Sequence, residues 1–295
     1  MGTLLASLSE ELAAAVATVA PSVVQVHGAR RAQAGLVFDA DLVMTAGRHL
    51  DGAAVSVRAA DGRVLEGTLL GHGRLTGLAV VRVPGLGSPA ADAAPVPAPG
   101  HLAQAVGRTW SGGVFAAFAP VAVVGGPLRT GRRAELPRVI RVGIAPHGAL
   151  VGGALVDGAG RVLGLVTGTA IRATTLVVPS EFAWADARQV VAHADHAPGY
   201  LGIRSMPVRL PESQRAGRAE RGLLVTGVSD GGPAATAGVL VGDVLVACAG
   251  MPVDDPDDLL ARLREVRPGE AVALTLSRGG TAQELAVTAG ERPRG

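Results

Sequence analysis

The sequence predicts a strand-rich protein in two parts, an all-β unit followed by a smaller α+β unit. Three observations carry that prediction. Forty-two glycines and nineteen prolines are spread along 295 residues, the punctuation of a chain that turns often. Short apolar runs face each other across turn-forming residues at Asp39-Ala40-Asp41, Asp61-Gly62 and Asp157-Gly158-Ala159-Gly160. Beyond Gly199 the pattern changes, and Asp255 to Val266 repeats Leu259, Leu260, Leu263 and Val266 at helical spacing.

In chain order, residues 8–19 predict a helix, with Ser9 as its cap, Glu10 and Glu11 in the first turn, and Pro21 as its end. Ser22 to His27 alternates apolar and polar residues and reads as a strand. Ala34 to Leu50 reads as a hairpin about residues 39–41. Residues 53–58 and 64–70 read as two strands joined at Asp61-Gly62, a strong short hairpin signal. Leu78 to Val83 is a further strand. Residues 84–100 are rich in Pro, Ala and Gly without apolar period, and read as a link. Strands are then expected around Val106, over Val114–Val124 and Val139–Val142, on both sides of residues 157–160, and over Thr175–Pro179. A short helix is expected from Phe182 to Ala194. In the second unit, Gly222–Val228 reads as a strand. A short helix after Pro233 stops at Gly238, and a strand follows to Val246. Pro268-Gly269 ends the second helix, and Ala271–Arg278 with Gln283–Thr288 closes the sheet.

Composition narrows the function classes. Hydrophobic residues make up 48% of the chain, enough for a sizeable core. Net charge is +2, and the 27 basic residues are all Arg, so the high pI reflects a small surplus of a strong base. No dense basic tract is interleaved with aromatics, so nucleic acid is not an expected partner. The single cysteine, Cys248, lies in an apolar run and reads as a core residue. The seven histidines are scattered, with no zinc-ligand spacing, and no metal or cofactor is expected. Residues 1–20 hold no Lys or Arg, and Ser7, Ser9, Glu10 and Glu11 interrupt any apolar core. Neither a secretory signal nor a membrane span is expected, and the cytoplasm is the expected location, with another export route left open.

Gly143 to Val166 organises the reading. Paired Gly152-Gly153 precede an apolar run, a turn and a second run, which by itself is the grammar of a plain hairpin. The frame Ala149-Leu-Val-Gly-Gly-Ala-Leu-Val156 also resembles the nucleophile loop of trypsin-like serine proteases of the HtrA/DegP family, Gly-Asn-Ser-Gly-Gly-Pro-Leu-Val. Other stretches share the resemblance: Pro21-Ser-Val-Val-Gln-Val26, the hairpin ending at Thr45, Gly77-Leu-Ala-Val80, Val106-Gly-Arg108 and Val177-Val-Pro179. It implies a trypsin-like double β-barrel over residues 21–190, after an N-terminal helical segment, 1–20. Residues 199–290 resemble a PDZ domain, on Pro233-Ala-Ala-Thr-Ala-Gly238, Gly242-Asp-Val-Leu245 and Pro268-Gly269 ahead of a strand ending in Arg278. A generic small α+β domain is the plainer alternative.

The resemblance also says what is missing. Family members carry a His, Asp, Ser triad, and the matching positions here are Arg48, Gly77 and Val151. Valine offers no nucleophile, arginine stays protonated, and glycine has no side chain. His49 is displaced by one residue, which turns a strand side chain to the other face. Asp39 and Asp41 also lie near the first triad position and His147 near the third, and Ser111 is the residue from which a relocated nucleophile could come. The oxyanion-loop equivalents are the amides of Ala149 and Val151. There, Ala replaces a usual Gly, and a β-branched residue would be strained at positive φ. In the PDZ-like unit, Tyr200-Leu201-Gly202-Ile203 matches the loop that holds a peptide's terminal carboxylate. A strand with a glycine bulge is its plainer reading. The expectation is therefore a catalytically inactive HtrA-like protein that binds peptides, protein C-termini or unfolded chains, as a scaffold, chaperone-like or regulatory factor in protein quality control. Homo-oligomers or active relatives are its expected assembly partners. Two alternatives stay open: an active serine endopeptidase with a rearranged site, and a purely structural oligomerisation module.

Overall fold

A computed structural model of the chain describes residues 2–28, 32–47, 50, 54–129, 135–194, 199–210 and 220–291. It divides into two compact units, residues 1–192 and 193–295.

The first unit opens with helix α1 (Gly2–Val19) and a 3-10 turn, Ala20–Ser22, that Pro21 enters. A closed barrel follows: β1 (Val23–His27), β2 (Ala32–Asp39), β3 (Leu42–Ala46), β4 (Ala54–Arg58), β5 (Val64–His72) and β6 (Leu78–Arg82), in the order β1-β2-β3-β6-β5-β4. Next come β7 (Gln104–Arg108), β8 (Val114–Phe118), β9 (Val121–Gly125), the two-residue strands β10 (Leu128–Arg129) and β11 (Glu135–Leu136), and β12 (Val139–Val142). β13 (Ala154–Val156), β14 (Val162–Ile171) and β15 (Thr174–Pro179) complete the strands, and α2 (Ser180–Ala194) follows them. Seven of these form one sheet in the order β8-β7-β13-β14-β15-β12-β9, while β10 and β11 form a two-stranded sheet.

Burial explains why so many strands are apolar on both faces. Val24, Val26, Val37, Val43, Val57 and Val81 fill the closed barrel. Their alternates, Val23, Leu36, Met44 and Val80, pack with Val106, Val156, Leu165 and Val178 of the seven-stranded sheet, and with Trp184 of α2. Ile140, Leu150, Leu155, Leu163 and Val177 form a third cluster within the larger sheet. Two buried side chains stitch the barrel to β7 and the β7–β8 turn. Arg108 donates to the carbonyls of Val23 (2.7 Å), Ala20 (2.8 Å) and Gly112 (3.1 Å), and Gln25 donates to those of Thr109 (2.7 Å) and Trp110 (3.0 Å).

Two expectations for the N-terminus are corrected. Helix α1 begins at Gly2, so Ser9 lies inside it and caps nothing, because the Leu- and Ala-rich residues before it are good helix formers. Residues 3–22 are also long and apolar enough, by length and composition, to cross a membrane, since two glutamates are outweighed by the apolar residues around them. Only the C-terminal half of α1 is docked. Ala15 and Val19 are buried, and Gln104 donates to the Leu12 carbonyl at 2.6 Å, while Leu4, Leu5 and Leu8 are exposed.

The second unit contains β16 (Ile203–Arg209), β17 (Arg221–Val228), the single-turn helix α3 (Pro233–Thr236), β18 (Val244–Cys248), β19 (Met251–Pro252), α4 (Pro256–Leu263), β20 (Ala271–Arg278) and β21 (Thr281–Thr288). The sheet order is β16-β17-β18-β20-β21, with β19 paired to β18. Asp255 caps α4 by accepting from the Asp258 amide at 2.9 Å. Leu259, Leu263 and Val266 enter the core, whereas Leu260, one step round the helix from Leu259, is exposed. Cys248 is fully buried, and burial pushes its thiol up to about 11. Asp243, 2% exposed, is held by two hydrogen bonds from Arg278 at 2.8 Å and one from the Leu240 amide at 2.8 Å.

Candidate functional site

Residues 147–153 form a tight loop between β12 and β13. His147 is extended and caps a 3-10 turn, Gly148–Leu150, and Val151 follows at φ −64°, ψ 122°. The strain expected at Val151 is therefore absent: positive φ falls on Gly152, at 83°. Glycine is required there on a second count. A Cβ on Gly152 would lie 2.1 Å from the Ala34 carbonyl oxygen and 2.4 Å from Thr45 Oγ1. Backbone bonds fix the loop to both sheets: Ala34 N–H donates to the Val151 carbonyl at 2.9 Å, Gly152 N–H to Val166 at 2.9 Å, and Val166 N–H to Gly153 at 2.8 Å.

The two amides at the oxyanion-loop positions are engaged inside this turn. Ala149 N–H donates to His147 Nδ1 at 3.3 Å, and Val151 N–H donates to the Gly148 carbonyl at 3.4 Å. His147 is itself held in place, stacked on Phe115 with ring centroids 4.4 Å apart and planes nearly parallel. The Val151 side chain reaches toward β14, where a Cβ on Gly168 would lie 3.6 Å from Val151 Cγ2.

Arg48 and His49 lie outside the described residues. Gly77 is described, with φ 69°, and closes a turn by donating to the Gly73 carbonyl at 2.9 Å. Its carbonyl faces Gly47, where an added Cβ would lie 2.1 Å from it. Two residues that the sequence reading did not single out frame this corner. His72, at the end of β5, is 3.2 Å from the Gly47 carbonyl through Nε2. Asp186, buried on α2, accepts from the amides of Leu75 (3.2 Å) and Thr76 (2.7 Å) and from the Thr76 hydroxyl (2.6 Å). More than 100 residues separate Asp186 from that loop, so no local pattern could have linked them.

Ser111 and His147, from which a site could be rebuilt, and also His27 and Thr45, all have other partners. Ser111 Oγ pairs with Thr109 Oγ1 at 3.0 Å in the β7–β8 turn. His147 meets an amide, and His27 meets Gln25 Oε1 at 2.8 Å, while the buried Thr45 hydroxyl donates to the Ala34 carbonyl at 2.5 Å. A group of three or more His, Cys, Asp or Glu able to hold a metal ion is absent among the described residues.

In the second unit the loop Tyr200–Ile203 runs into β16, the end strand of its sheet. Gly202 adopts φ 75° and turns the chain so that its carbonyl accepts from Ser229 N–H at 2.7 Å, while the Leu201 carbonyl accepts from Ala234 N–H at 2.9 Å. With both carbonyls drawn inward, the amides of Leu201 and Gly202 have no acceptor among the described residues. Tyr200 brackets the loop through paired backbone bonds with Gly290 at 2.9 Å and a 3.2 Å contact between its hydroxyl and Ser229 Oγ. Leu201 is buried in the core with Leu259 and Leu263 of α4, and Ile203 packs against that cluster. Open amides beside an apolar wall and an unpaired strand edge suit an extended peptide ending in a carboxylate.

Comparison with known proteins agrees with this division. Residues 33–165 match a trypsin-like peptidase domain, and residues 199–289 match a PDZ domain. The chain is 29% identical over 276 residues to a protein of Brucella suis named probable periplasmic serine endoprotease DegP-like, covering 88% of this chain and 52% of that one. It therefore spans about half the length of such curated relatives. Serine endoprotease DegS of Escherichia coli K12 is 27% identical, with 95% and 85% covered. Putative serine protease HhoB of Synechocystis is 30% identical, with 88% and 66% covered. Among solved structures, the HtrA-type protease AlgW with a decapeptide superposes with a TM-score of 0.57 at 22% identity, covering 96% of this chain and 99% of that one. A serine endoprotease from Yersinia pestis gives 0.56 at 24%, covering 96% and 98%.

Proposed function

We propose that this HtrA-like chain, a trypsin-like peptidase domain followed by a PDZ domain, works by binding the C-terminal ends of other proteins and has no peptidase activity of its own. The observation that carries the reading is the loop at residues 147–153. Serine peptidase chemistry needs a hydroxyl beside an imidazole, a carboxylate to orient that imidazole, and free amides facing the developing oxyanion. Val151 stands at the nucleophile position and Gly77 at the carboxylate position, and the amides of Ala149 and Val151 are spent within their own turn. The glycines that shape the loop remain, because Gly152 is wedged against β2 and β3 whatever the chemistry.

Recognition would then fall to the loop Tyr200-Leu201-Gly202-Ile203. The amides of Leu201 and Gly202 would take the carboxylate, and Ile203 with Leu201 would receive the last side chain. The peptide would be added to β16 as a further strand. Scaffold, holding and regulatory roles all reduce to that binding. A second reading, an active endopeptidase, is favoured by one finding: the relatives are named serine endoproteases. The cytoplasmic expectation finds no support, since a relative is named periplasmic and α1 is apolar enough for a signal or an anchor.

The test joins two assays on the full chain. Fluorescent casein should stay intact over a day at micromolar protein, while labelled peptides with free C-termini bind saturably and their C-terminal amides do not. Casein cleavage that survives further purification and disappears on His147→Ala or Ser111→Ala would overturn the reading.

A further inference from the structure

We infer that the groove beside β16 selects C-terminal tails whose penultimate residue is acidic and whose last residue is apolar, and that it reads a short tail. This rests on the peptide-binding reading above and goes beyond it to the class of partner.

Direction comes first. The open amides of Leu201 and Gly202 precede β16, and β16 runs away from them. A tail whose carboxylate sits on those amides must therefore run antiparallel to β16. Its last residue then lies opposite Ile203, its penultimate residue opposite Arg204, and the third from the end opposite Ser205. Side chains alternate across a strand. Ile203 and Ser205 are half-buried and Arg204 and Met206 are exposed, so the penultimate side chain emerges on the face of Arg204.

Arg204 is a cation in waiting. Its guanidinium rests beside Gly227, the residue paired with it on β17, where an added Cβ would lie 2.9 Å from Nε. The ion pairs of this unit among the described residues join Arg278 to Asp243 and Arg262 to Glu265, and Arg204 takes part in neither. A carboxylate on the neighbouring strand would meet an exposed fork with room to move, while a lysine there would be repelled.

Pro207 sets the length. Proline lacks an N–H and is admitted where its nitrogen faces away from the existing ladder. Ile203, Ser205 and Pro207 share one parity, so all three turn their backbone toward the open edge. An added strand finds groups on Ile203 and Ser205, then loses a donor opposite its fifth residue from the end.

The experiment is fluorescence anisotropy on the full chain with seven-residue peptides ending Glu-Val, Lys-Val, and Glu-Val amide. The Glu-Val acid should bind about tenfold more tightly than the Lys-Val acid at low salt, a gap that narrows as salt screens the pair. Arg204→Glu should invert that order. Pro207→Ala should strengthen the seven-residue peptide by about threefold and leave a four-residue version unchanged. Equal binding of the two acids, with the amide still inert, would overturn the charge selection and leave peptide binding standing. Amide binding as tight as the acid, or no saturable binding by any peptide, would overturn the underlying reading and this one with it.

Discussion

Replacing Gly152 by alanine tests what holds the loop at residues 147–153 in shape whatever its chemistry. Two costs add. An alanine at φ 83° pays about 1–2 kcal/mol for left-handed backbone. Its Cβ would also sit 2.1 Å from the Ala34 carbonyl oxygen and 2.4 Å from Thr45 Oγ1, two atoms already bonded to each other. Both belong to strands held in the barrel, so relief needs backbone movement of over an ångström, and overpacking of that kind costs about 1–3 kcal/mol. The expected loss is therefore about 2–5 kcal/mol, a fall of roughly 1–2 M in the urea midpoint for a unit of this size. Both tryptophans, Trp110 and Trp184, lie in the first unit, and Trp184 is buried, so their fluorescence follows that unit alone. Gly148→Ala is the control. An added Cβ there meets open space, and the change should be neutral within about 0.5–1 kcal/mol. If Gly152→Ala unfolds within 0.3 M of the parent, the claim that backbone conformation and packing demand this glycine is wrong.

Three more predictions concern titratable groups. Burial pushes the Asp243 carboxyl up, but the Arg278 fork and the Leu240 amide outweigh it and hold it below its usual range. Its contribution is therefore complete above the unfolded value near 4 and is lost as pH falls through the lower folded value. Asp243→Asn should cost about 2 kcal/mol at neutral pH and progressively less as pH falls below about 4, read by hydrogen exchange over residues 244–248. Burial, then the Arg58 charge, lowers the pKa of His27, so the unfolded chain takes up its proton first. Stability of the first unit should fall as pH drops below about 6.5, and His27→Gln should flatten that slope in tryptophan-monitored urea titrations. Cys248, pushed up to about 11, is only about one part in a thousand thiolate at pH 8. Iodoacetamide should leave the native thiol intact and alkylate it promptly in denaturant.

Local signals made most of the fold legible. The hairpins at Asp39–Asp41 and Asp61-Gly62, the β13–β14 turn and the caps of the second unit are set by residues close in sequence, and most strands form where their patterns predict them, although Val114–Val124 divides into β8 and β9, and β10, β11, β16 and β19 had no such pattern. Longer-range consequences were out of reach. Nothing near Asp186 announces that it will hold the Leu75–Thr76 amides, and nothing in Gly71-His72-Gly73 places that imidazole against Gly47. The loop at Val151 shows the limit most clearly. Its residue types depart from the family frame at Ala149 and Val151, yet nothing in them foretells that His147 will stack on Phe115 of β8. The start of α1 was misjudged because Ser9 and Glu10-Glu11 look like a cap, while the Leu- and Ala-rich turn before them also favours helix.

The most direct measurement of the central claim is the intact mass of the full chain after prolonged exposure to a fluorophosphonate probe. The account predicts an unmodified protein, since Val151 offers the reagent no hydroxyl. One stoichiometric adduct on a single serine or threonine, lost when the protein is unfolded beforehand, would contradict it.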